Sequence, residues 1–254
     1  MIDTNGENDV DTKTVIVTGA SSGLGLAIAE AYLKLGYNVV GNARTQERLD
    51  EAAASIGNPK NFVGVAGDIG KPETTEALFS KAIEAFGKVD ILINNAGIFL
   101  AKPVADFTGD DLESIISTNL KGWFYPAQAA AKHMSANGVG HILTITACIA
   151  LQPNKNLPCL LTQMTKGGLD HAVKGLALEL ASTGVQVNAV APGIIDTPIL
   201  PRGEENWAFF RTLAPNNKTG VPQDIVDAVL YLTGSEYVTG SIVTVDGGST
   251  TGVW

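Results

Sequence analysis

The sequence predicts an α/β fold in which a doubly wound parallel sheet carries helices on both faces. Short runs rich in Val and Ile alternate with longer segments whose apolar residues recur at helical spacing, a pattern typical of βαβ units. A glycine-rich turn lies between the first predicted strand and the first predicted helix. The 254 residues are 45% hydrophobic and 17% charged, which suits one large core. We therefore predict a Rossmann-type sheet of about seven strands.

The elements follow from these runs in chain order. We predict strands at residues 14–18, 38–41, 62–66, 89–94, 141–146, 185–191 and 241–245. We predict helices at residues 22–35, 47–56, from 72 onward, 110–136, 159–181 and 222–232. Residues 193–220 carry Pro198, Pro201 and Pro215, so we expect no helix there. An irregular segment of that length is typical of a lid over an active site.

Composition excludes several classes of function. Residues 1–12 are polar and predict a flexible tail without a leader, followed by one domain at residues 13–254. A net charge of −9 with 17 scattered basic residues argues against binding nucleic acid or an anionic membrane. No apolar run is long enough to span a bilayer, and two cysteines indicate a reducing, cytoplasmic location. The three histidines lack metal-ligand spacing, so we predict no metal.

The turn at residues 18–25, TGASSGLG, predicts a phosphate-binding site. Its glycines permit a tight turn, and the helix that follows adds the positive end of its dipole. The strand–turn–helix context is the one that dinucleotide binding requires. The residues predicted to hold the pyrophosphate are Gly19, Ser21, Ser22, Gly23, Leu24 and Gly25.

The end of the second predicted strand distinguishes between two dinucleotides. A protein that prefers NAD(H) places a carboxylate there for the ribose hydroxyls, whereas this chain has Ala43 followed by Arg44. A guanidinium favours a 2′-phosphate, which predicts NADP(H) over NAD(H). The alternative is that Arg44 is only a solvated residue at a helix start.

Further motifs from about Lys13 to Gly248 resemble those of the short-chain dehydrogenase/reductase superfamily. They are the glycine-rich turn, Asp68-Ile69, Asn94-Asn95-Ala96-Gly97, Asn119, Lys166, residues 187–193 with Thr197, and residues 245–248. The resemblance implies that Asp68 and Ile69 flank the adenine and that Asn95, Ala96 and Gly97 line the cofactor. It also implies that Lys166 binds the nicotinamide ribose, while Asn119 fixes a water that links Lys166 to solvent. The residues implied to hold the carboxamide and diphosphate are Pro192, Gly193, Ile195 and Thr197.

The sequence departs from the superfamily at its proton-handling residues. The expected tyrosine, four residues before Lys166, is Thr162, and the expected serine position after the fifth strand is Ala147. A register shift offers Thr146 or Cys148 for the serine, but no shift supplies the tyrosine. A tyrosine has a pKa of about 10 and an aliphatic hydroxyl one of about 15–16, a gap of about 7 kcal/mol. Thr162 is one helical turn from Lys166, so it is a candidate relay through a water.

Three interpretations follow from this departure. The first is an NADP(H)-dependent oxidoreductase with Asn119, Thr162 and Lys166 as catalytic residues, whose acid is Lys166, a water chain or the substrate itself. A cationic iminium carbon needs no acid, because hydride converts it to a neutral amine. The second is a catalytically inactive NADP(H)-binding protein that acts as a sensor or structural partner. The third is non-redox chemistry in the same pocket.

The predicted substrate is a small hydrophobic or mixed molecule, a carbonyl or alcohol, or an imine or amine. The apolar walls predicted for its pocket are Leu100, Leu151, Leu157, Trp207 and Phe210. Gly167 and Gly168 within a predicted helix indicate close approach of another helix. This agrees with the homotetramer or homodimer that the resemblance implies.

Overall fold

The computed structural model describes residues 12–252, and nearly all of the predicted N-terminal tail lies outside them. Seven parallel strands form one sheet in the order β3-β2-β1-β4-β5-β6-β7. They are β1 (Thr14–Val17), β2 (Asn38–Ala43), β3 (Phe62–Ala66), β4 (Ile91–Asn94), β5 (Gly140–Ile145), β6 (Val185–Pro192) and β7 (Ile242–Val245). The predicted Rossmann-type fold is confirmed.

Helices cover both faces of this sheet. They are α1 (Gly23–Lys34), α2 (Gln46–Ser55), α3 (Pro72–Phe86), α4 (Gly109–Ile115), α5 (Gly122–Asn137), α6 (Cys148–Leu151), α7 (Leu160–Glu179), α8 (Glu204–Arg211) and α9 (Pro222–Thr233). Alternate residues of each strand point to opposite faces. Val15 and Val17 pack with α1 and α9, whereas Ile16 packs with α3, α5 and α7. Two cores result, one on each side of the sheet.

The strand order reverses between β1 and β4. The chain goes from β1 outward to β2 and β3, then returns to the other side of β1 as β4. Loops at the carboxyl ends of these two strands therefore diverge and leave a crevice, where doubly wound proteins bind their ligands. The glycine-rich turn follows β1 and residues 95–97 follow β4, so both lie at this crevice.

The structure corrects one expectation about the helices and adds two features that were not predicted. Residues 193–220 were expected to contain no helix, but α8 forms at Glu204–Arg211, within the proline-free stretch between Pro201 and Pro215. Its ends are joined by an ion pair of 2.7 Å from Arg211 to Glu204. The predicted helix at residues 110–136 is interrupted by a π-helical turn at Ile116–Lys121. The short helix α6 was not predicted at all, because four residues are too few to show a period.

Candidate functional site

Hydrogen bonds from the loop after β4 stabilise the glycine-rich turn. The side-chain amide of Asn95 donates to the carbonyl oxygens of Thr18 at 2.9 Å and Gly19 at 3.3 Å. The hydroxyl of Thr18 accepts the N–H groups of Asn95 and Ala96, each at 3.0 Å. Asn95 was predicted to line the cofactor. In the structure its side-chain amide stabilises the conformation of the turn.

Three glycines of this turn have separate geometric reasons. Gly19 and Gly23 adopt φ angles of 68° and 54°, in the left-handed region that favours glycine. A Cβ on Gly25 would overlap the carbonyl oxygen of Gly19. Glycine is thus needed at all three positions for β1 to turn into α1.

The hydrogen-bond donors at the start of α1 fit a pyrophosphate. Ser22 is the N-cap of α1, and its hydroxyl makes no capping hydrogen bond. Within residues 12–252 neither the Ser21 nor the Ser22 hydroxyl has a hydrogen-bond partner. An anion at this helix end would meet free N–H and O–H donors and the positive end of the helix dipole. The turn therefore has the donors and the close backbone approach that a dinucleotide requires.

The residues predicted for the adenosine end differ in availability. Arg44 directly follows β2, is exposed, and has no hydrogen bond or ion pair within the described chain. Asp68 is exposed and accepts the N–H of Gly70 at 2.9 Å. Ile69 is buried in the core, where a Cβ on Gly122 would lie 2.7 Å from its side chain. Arg44 and Asp68 are open to a ligand, whereas Ile69 mainly supports the helix packing.

The residues predicted for the nicotinamide end share one cavity of about 610 Å³. Pro192, Gly193, Ile195 and Thr197 all line it, and Leu24 of the glycine-rich turn lines it as well. A Cβ on Gly193 would lie 2.7 Å from the Cα of Asp246, so only glycine allows this approach to the loop after β7. A cofactor that lies across the glycine-rich turn would therefore bring its ring to this cavity.

The remaining walls are mixed in polarity. Leu157 and Phe210 line the cavity as predicted, whereas the predicted Leu100, Leu151 and Trp207 do not. Trp207 instead packs edge-on against Phe210, with ring centroids 5.7 Å apart. Wall residues that were not predicted are Phe99, Ile149, Gln152, Pro153, Asn154, Lys155, Asn156, Ile194, Ile199, Leu200, Thr212, Leu213, Ser249 and Gly252. Among the described lining residues, Lys155 alone carries a formal charge.

Lys166 and Asn119 come together beside Gly97. The Lys166 ammonium is buried and donates to the carbonyl oxygen of Ile145 at 2.7 Å. Asn119 lies in the π-helical turn, accepts the N–H of Ile98 at 2.9 Å and donates to the carbonyl of the same residue at 3.1 Å. A Cβ on Gly97 would be 3.1 Å from the Lys166 nitrogen and 3.3 Å from the Asn119 oxygen. Glycine at this position leaves the space around the ammonium open.

Two effects oppose each other on the charge of Lys166. Burial lowers the pKa of its ammonium to about 8, and the nearby carboxyl of Asp170 acts in the other direction. The group therefore titrates close to neutral pH, where a proton can be held or released.

Thr162 is placed away from the cavity. It is 1% exposed, and its hydroxyl accepts the N–H of Leu100 at 3.2 Å and donates to the carbonyl of Leu100 at 3.3 Å. The end of β5 contributes Thr146, Ala147 and Cys148 to the wall instead. Burial, followed by the charge of Asp246, raises the pKa of the Cys148 thiol to about 12, so Cys148 is not a thiolate nucleophile at neutral pH.

No group of three or more His, Cys, Asp or Glu side chains within residues 12–252 is arranged to hold a metal ion. Within the same residues, no helix is long and apolar enough to cross a bilayer.

Comparison with known proteins agrees with this geometry. Residues 13–206 match the family model of the short chain dehydrogenases. The chain is 34% identical over 257 aligned positions to 3beta-hydroxysteroid dehydrogenase 1 of Eggerthella lenta, covering 96% of this chain and 95% of that protein.

Two solved structures superpose over almost the whole chain. ElxO with NADP bound has a TM-score of 0.88 at 28% identity and covers 95% of this chain and 100% of the other. The 3-ketoacyl-(acyl-carrier-protein) reductase of Brucella melitensis in complex with NADH has a TM-score of 0.86 at 31% identity, covering 94% and 98%. Because the family model spans most of the sequence and relatives align over nearly its full length, this chain belongs to the short-chain dehydrogenase family.

Proposed function

We propose that the protein is an NADP(H)-dependent oxidoreductase that transfers hydride to or from a small hydrophobic or mixed substrate. The substrate is a carbonyl or alcohol, or an imine or amine. One observation carries this proposal: Gly193 and Thr197 share a cavity with Leu24 and with the residues that follow β5. A nicotinamide held by Gly193 and Thr197 would have its reacting carbon next to a substrate held by the residues that follow β5.

Arg44 supports the choice of NADP(H). Its guanidinium is exposed and free of partners within the described residues, next to the end of β2 where the adenosine ribose binds in doubly wound proteins. A guanidinium forms paired hydrogen bonds with a phosphate, which a ribose hydroxyl does not match. The two solved neighbours hold NADP and NADH respectively, so the preference rests on Arg44.

The residues proposed as catalytic have unequal roles. Lys166 binds the nicotinamide ribose and supplies the positive charge of the site. Asn119 fixes the neighbouring loop through both hydrogen bonds to Ile98. Thr162 positions the loop that contains Leu100, since its hydroxyl is hydrogen-bonded to both the N–H and the carbonyl of that residue. An iminium substrate requires no acid at all, which makes imines the first class to screen.

The cavity supports a mixed substrate. Leu24, Leu157, Phe210 and Leu213 give it apolar walls, and Lys155 places a positive charge on the segment between α6 and α7. No acidic side chain is among the described lining residues. We therefore propose an apolar body whose polar or acidic end lies toward Lys155.

A second candidate function is a catalytically inactive NADP(H)-binding protein. The observation that favours it is the pair Thr162 and Ala147, neither of which offers an acid to the cavity. A protein of this kind would bind the dinucleotide with full affinity and release it unchanged.

The first experiment titrates the protein with NADPH and NADH by fluorescence, then repeats NADPH on Arg44→Ala and Lys166→Ala. We expect NADPH to bind at least about tenfold more tightly than NADH, and Arg44→Ala to remove the difference. Arg48→Ala, four residues further on and also exposed, is the matched control. Failure to bind either dinucleotide would refute the proposal.

Turnover separates the two candidate functions. With NADPH bound, the protein is mixed with panels of cyclic imines, ketones and aldehydes, and loss of dihydronicotinamide absorbance is followed. Oxidation of NADPH by a panel member supports the oxidoreductase. Tight binding with no oxidation across all panels supports the inactive protein.

A further inference from the structure

One exposed arginine contacts two segments that border the cavity. The Arg202 guanidinium forms an ion pair of 2.7 Å with the carboxylate of Asp196 and lies over the ring of Trp207, 5.7 Å from its centroid. The backbone carbonyl of Arg202 accepts the side-chain amide of Asn206 at 2.9 Å. Arg202 therefore connects the segment after β6 with α8, although it does not line the cavity itself.

Asp196 is anchored next to the residues proposed to hold the nicotinamide. Ile195 and Thr197, on either side of it, are each 6% exposed and line the cavity, whereas Asp196 is exposed. The N–H of Asp196 donates to the carbonyl of Gly220 at 2.9 Å, and the N–H of Gly220 donates to the carbonyl of Ile194 at 2.9 Å. These two bonds belong to a parallel β-bridge between Ile195 and Gly220, which fixes the backbone at this point. The Asp196 carboxylate is thus a well-placed partner for the guanidinium.

Trp207 links Arg202 to the cavity wall. Its ring packs edge-on against Phe210, which is 7% exposed and lines the cavity. Both aromatic residues lie in α8, so a displacement of Trp207 also displaces the wall at Phe210. The distance between Phe210 and Thr197, on two walls of one cavity, therefore depends on Arg202.

A second ion pair in the same part of the chain provides a comparison. Arg211 and Glu204 are also 2.7 Å apart, but both lie in α8 and join its two ends. The side chains of Arg202 and Arg211 are 60% and 43% exposed, respectively. The two arginines therefore share their charge and their type of contact, whereas Arg202 joins α8 to another segment.

We propose that Arg202 is a positioning residue, which holds α8 at a fixed distance from the segment proposed to bind the nicotinamide. The proposal rests on the oxidoreductase function and adds a residue that touches neither the dinucleotide nor the substrate. Loss of Arg202 lets Phe210 and Thr197 move apart, so the cavity holds both ligands less tightly. The chemical step uses other residues, so its rate does not depend on Arg202.

Dissociation of NADPH tests this role. The complex is mixed with a large excess of NADP⁺ by stopped flow, and the fall in dihydronicotinamide fluorescence gives koff. We expect Arg202→Gln to raise koff by about 3- to 10-fold, and by less at high salt, because an exposed ion pair and a cation–π contact are both lost. Arg211→Gln removes the same charge and loosens α8 itself, so it is the matched control and should keep koff within about twofold. An equal rise in both variants overturns the proposal, because it would assign the effect to charge or to the stability of α8.

A double-mutant cycle tests whether Arg202 acts through Asp196. We expect Asp196→Asn to raise koff as well, and the double variant to differ from Arg202→Gln by no more than about twofold. Effects that multiply would show that the two residues act separately, which overturns the proposal.

Steady-state kinetics separates positioning from chemistry. With the imine, ketone or aldehyde that the wild-type protein turns over fastest, Arg202→Gln should raise KM by about 3- to 10-fold and keep kcat within about twofold. A fall in kcat at unchanged KM overturns the proposal.

The connection can also be measured in the free protein. Hydrogen–deuterium exchange followed by mass spectrometry reports the local opening of α8. We expect the α8 amides to exchange at least about threefold faster in Asp196→Asn. Glu30→Gln, which breaks a 2.7 Å ion pair with Lys34 in α1, should leave their exchange unchanged. An unchanged rate in Asp196→Asn overturns the proposal. If the wild-type protein binds no NADPH, the oxidoreductase function is refuted instead, and hydrogen exchange still decides the part of Arg202.

Discussion

The hydroxyl of Thr162 and the backbone of Leu100 form a reciprocal pair, in which the hydroxyl accepts the N–H at 3.2 Å and donates to the carbonyl at 3.3 Å. The two residues are 62 positions apart, so this pair joins α7 to the loop after β4. Thr162→Val keeps the volume and removes both bonds. We expect the free energy of unfolding to fall by about 1–3 kcal/mol, as for other buried groups left unsatisfied. Urea unfolding measures this, and a loss of turnover above about 100-fold at unchanged stability would instead identify Thr162 as an acid.

Gly25 is the position of the phosphate-binding turn that leaves least space for a side chain. We expect Gly25→Ala to abolish NADPH binding, because the added methyl overlaps the Gly19 carbonyl and the Asn95 amide. Gly175→Ala is the control, since a Cβ there meets no atom of the described chain within 4 Å. It should stabilise α7 by up to about 1 kcal/mol through helix propensity. Fluorescence titration and thermal unfolding check both variants; NADPH binding retained by Gly25→Ala would contradict the turn geometry.

His141 lies in β5 at the amino-terminal side of the sheet. We predict that it makes the free energy of unfolding sensitive to acid. It is 8% exposed, and burial, followed by the charge of Lys13, lowers the pKa of its imidazole from 6.5 to about 4. The unfolded chain therefore takes up a proton at a higher pH than the folded protein. Stability from this site is complete above pH 6.5 and is lost as the pH falls toward 4, by at most about 3 kcal/mol.

Urea unfolding at several pH values between 7 and 4 measures this dependence. His141→Gln should remove most of the slope, since glutamine does not titrate. His171→Gln, at an exposed histidine, is the control and should keep it. An unaltered slope in His141→Gln would assign the acid sensitivity to another group.

The outer face of α7 predicts self-association. Met164 is 60% and Leu178 is 80% exposed, and a Cβ on Gly168 would meet no atom of the described chain within 4 Å. Gly168→Leu is therefore compatible with the folded chain alone but would keep a second helix away. We expect a homotetramer or homodimer for the wild-type protein and a smaller species for Gly168→Leu in light scattering. The same mass for both proteins would place the interface elsewhere.

Lys155 predicts a charge preference among substrates. For a substrate with an acidic end, we expect Lys155→Gln to raise KM by about 3- to 10-fold, and less so at high salt, because the side chain is exposed and screened. A neutral analogue of the same shape should show no change. Steady-state kinetics at two ionic strengths checks this, and equal effects on both substrates would exclude a charge interaction.

The sheet could be predicted from sequence because its strands are short runs of Val and Ile, and β3 begins and ends at the predicted residues. The glycine-rich turn was predicted from its place between a strand and a helix, whereas Lys166 was predicted from the resemblance to the short-chain dehydrogenases. The bond between Thr162 and Leu100 could not be predicted, because it joins distant segments that meet only in the folded chain. The same holds for the cavity walls contributed by residues 152–156. The proximity of Asp170 to Lys166 could have been predicted from the sequence, since residues four positions apart lie on one face of a helix.

The 2.7 Å bond from Lys166 to the Ile145 carbonyl uses one of the three N–H donors of the ammonium and fixes its position in the free protein. In the proposed role, the other two donors remain for the hydroxyls of the nicotinamide ribose, so a dinucleotide would bind an ammonium that is already in place. Removing the lysine then leaves that carbonyl without its donor as well. A lower affinity of Lys166→Ala for NADPH would thus combine the lost ribose contacts with a less ordered site, while the loss of thermal stability in the same variant would measure the bond that the free protein keeps.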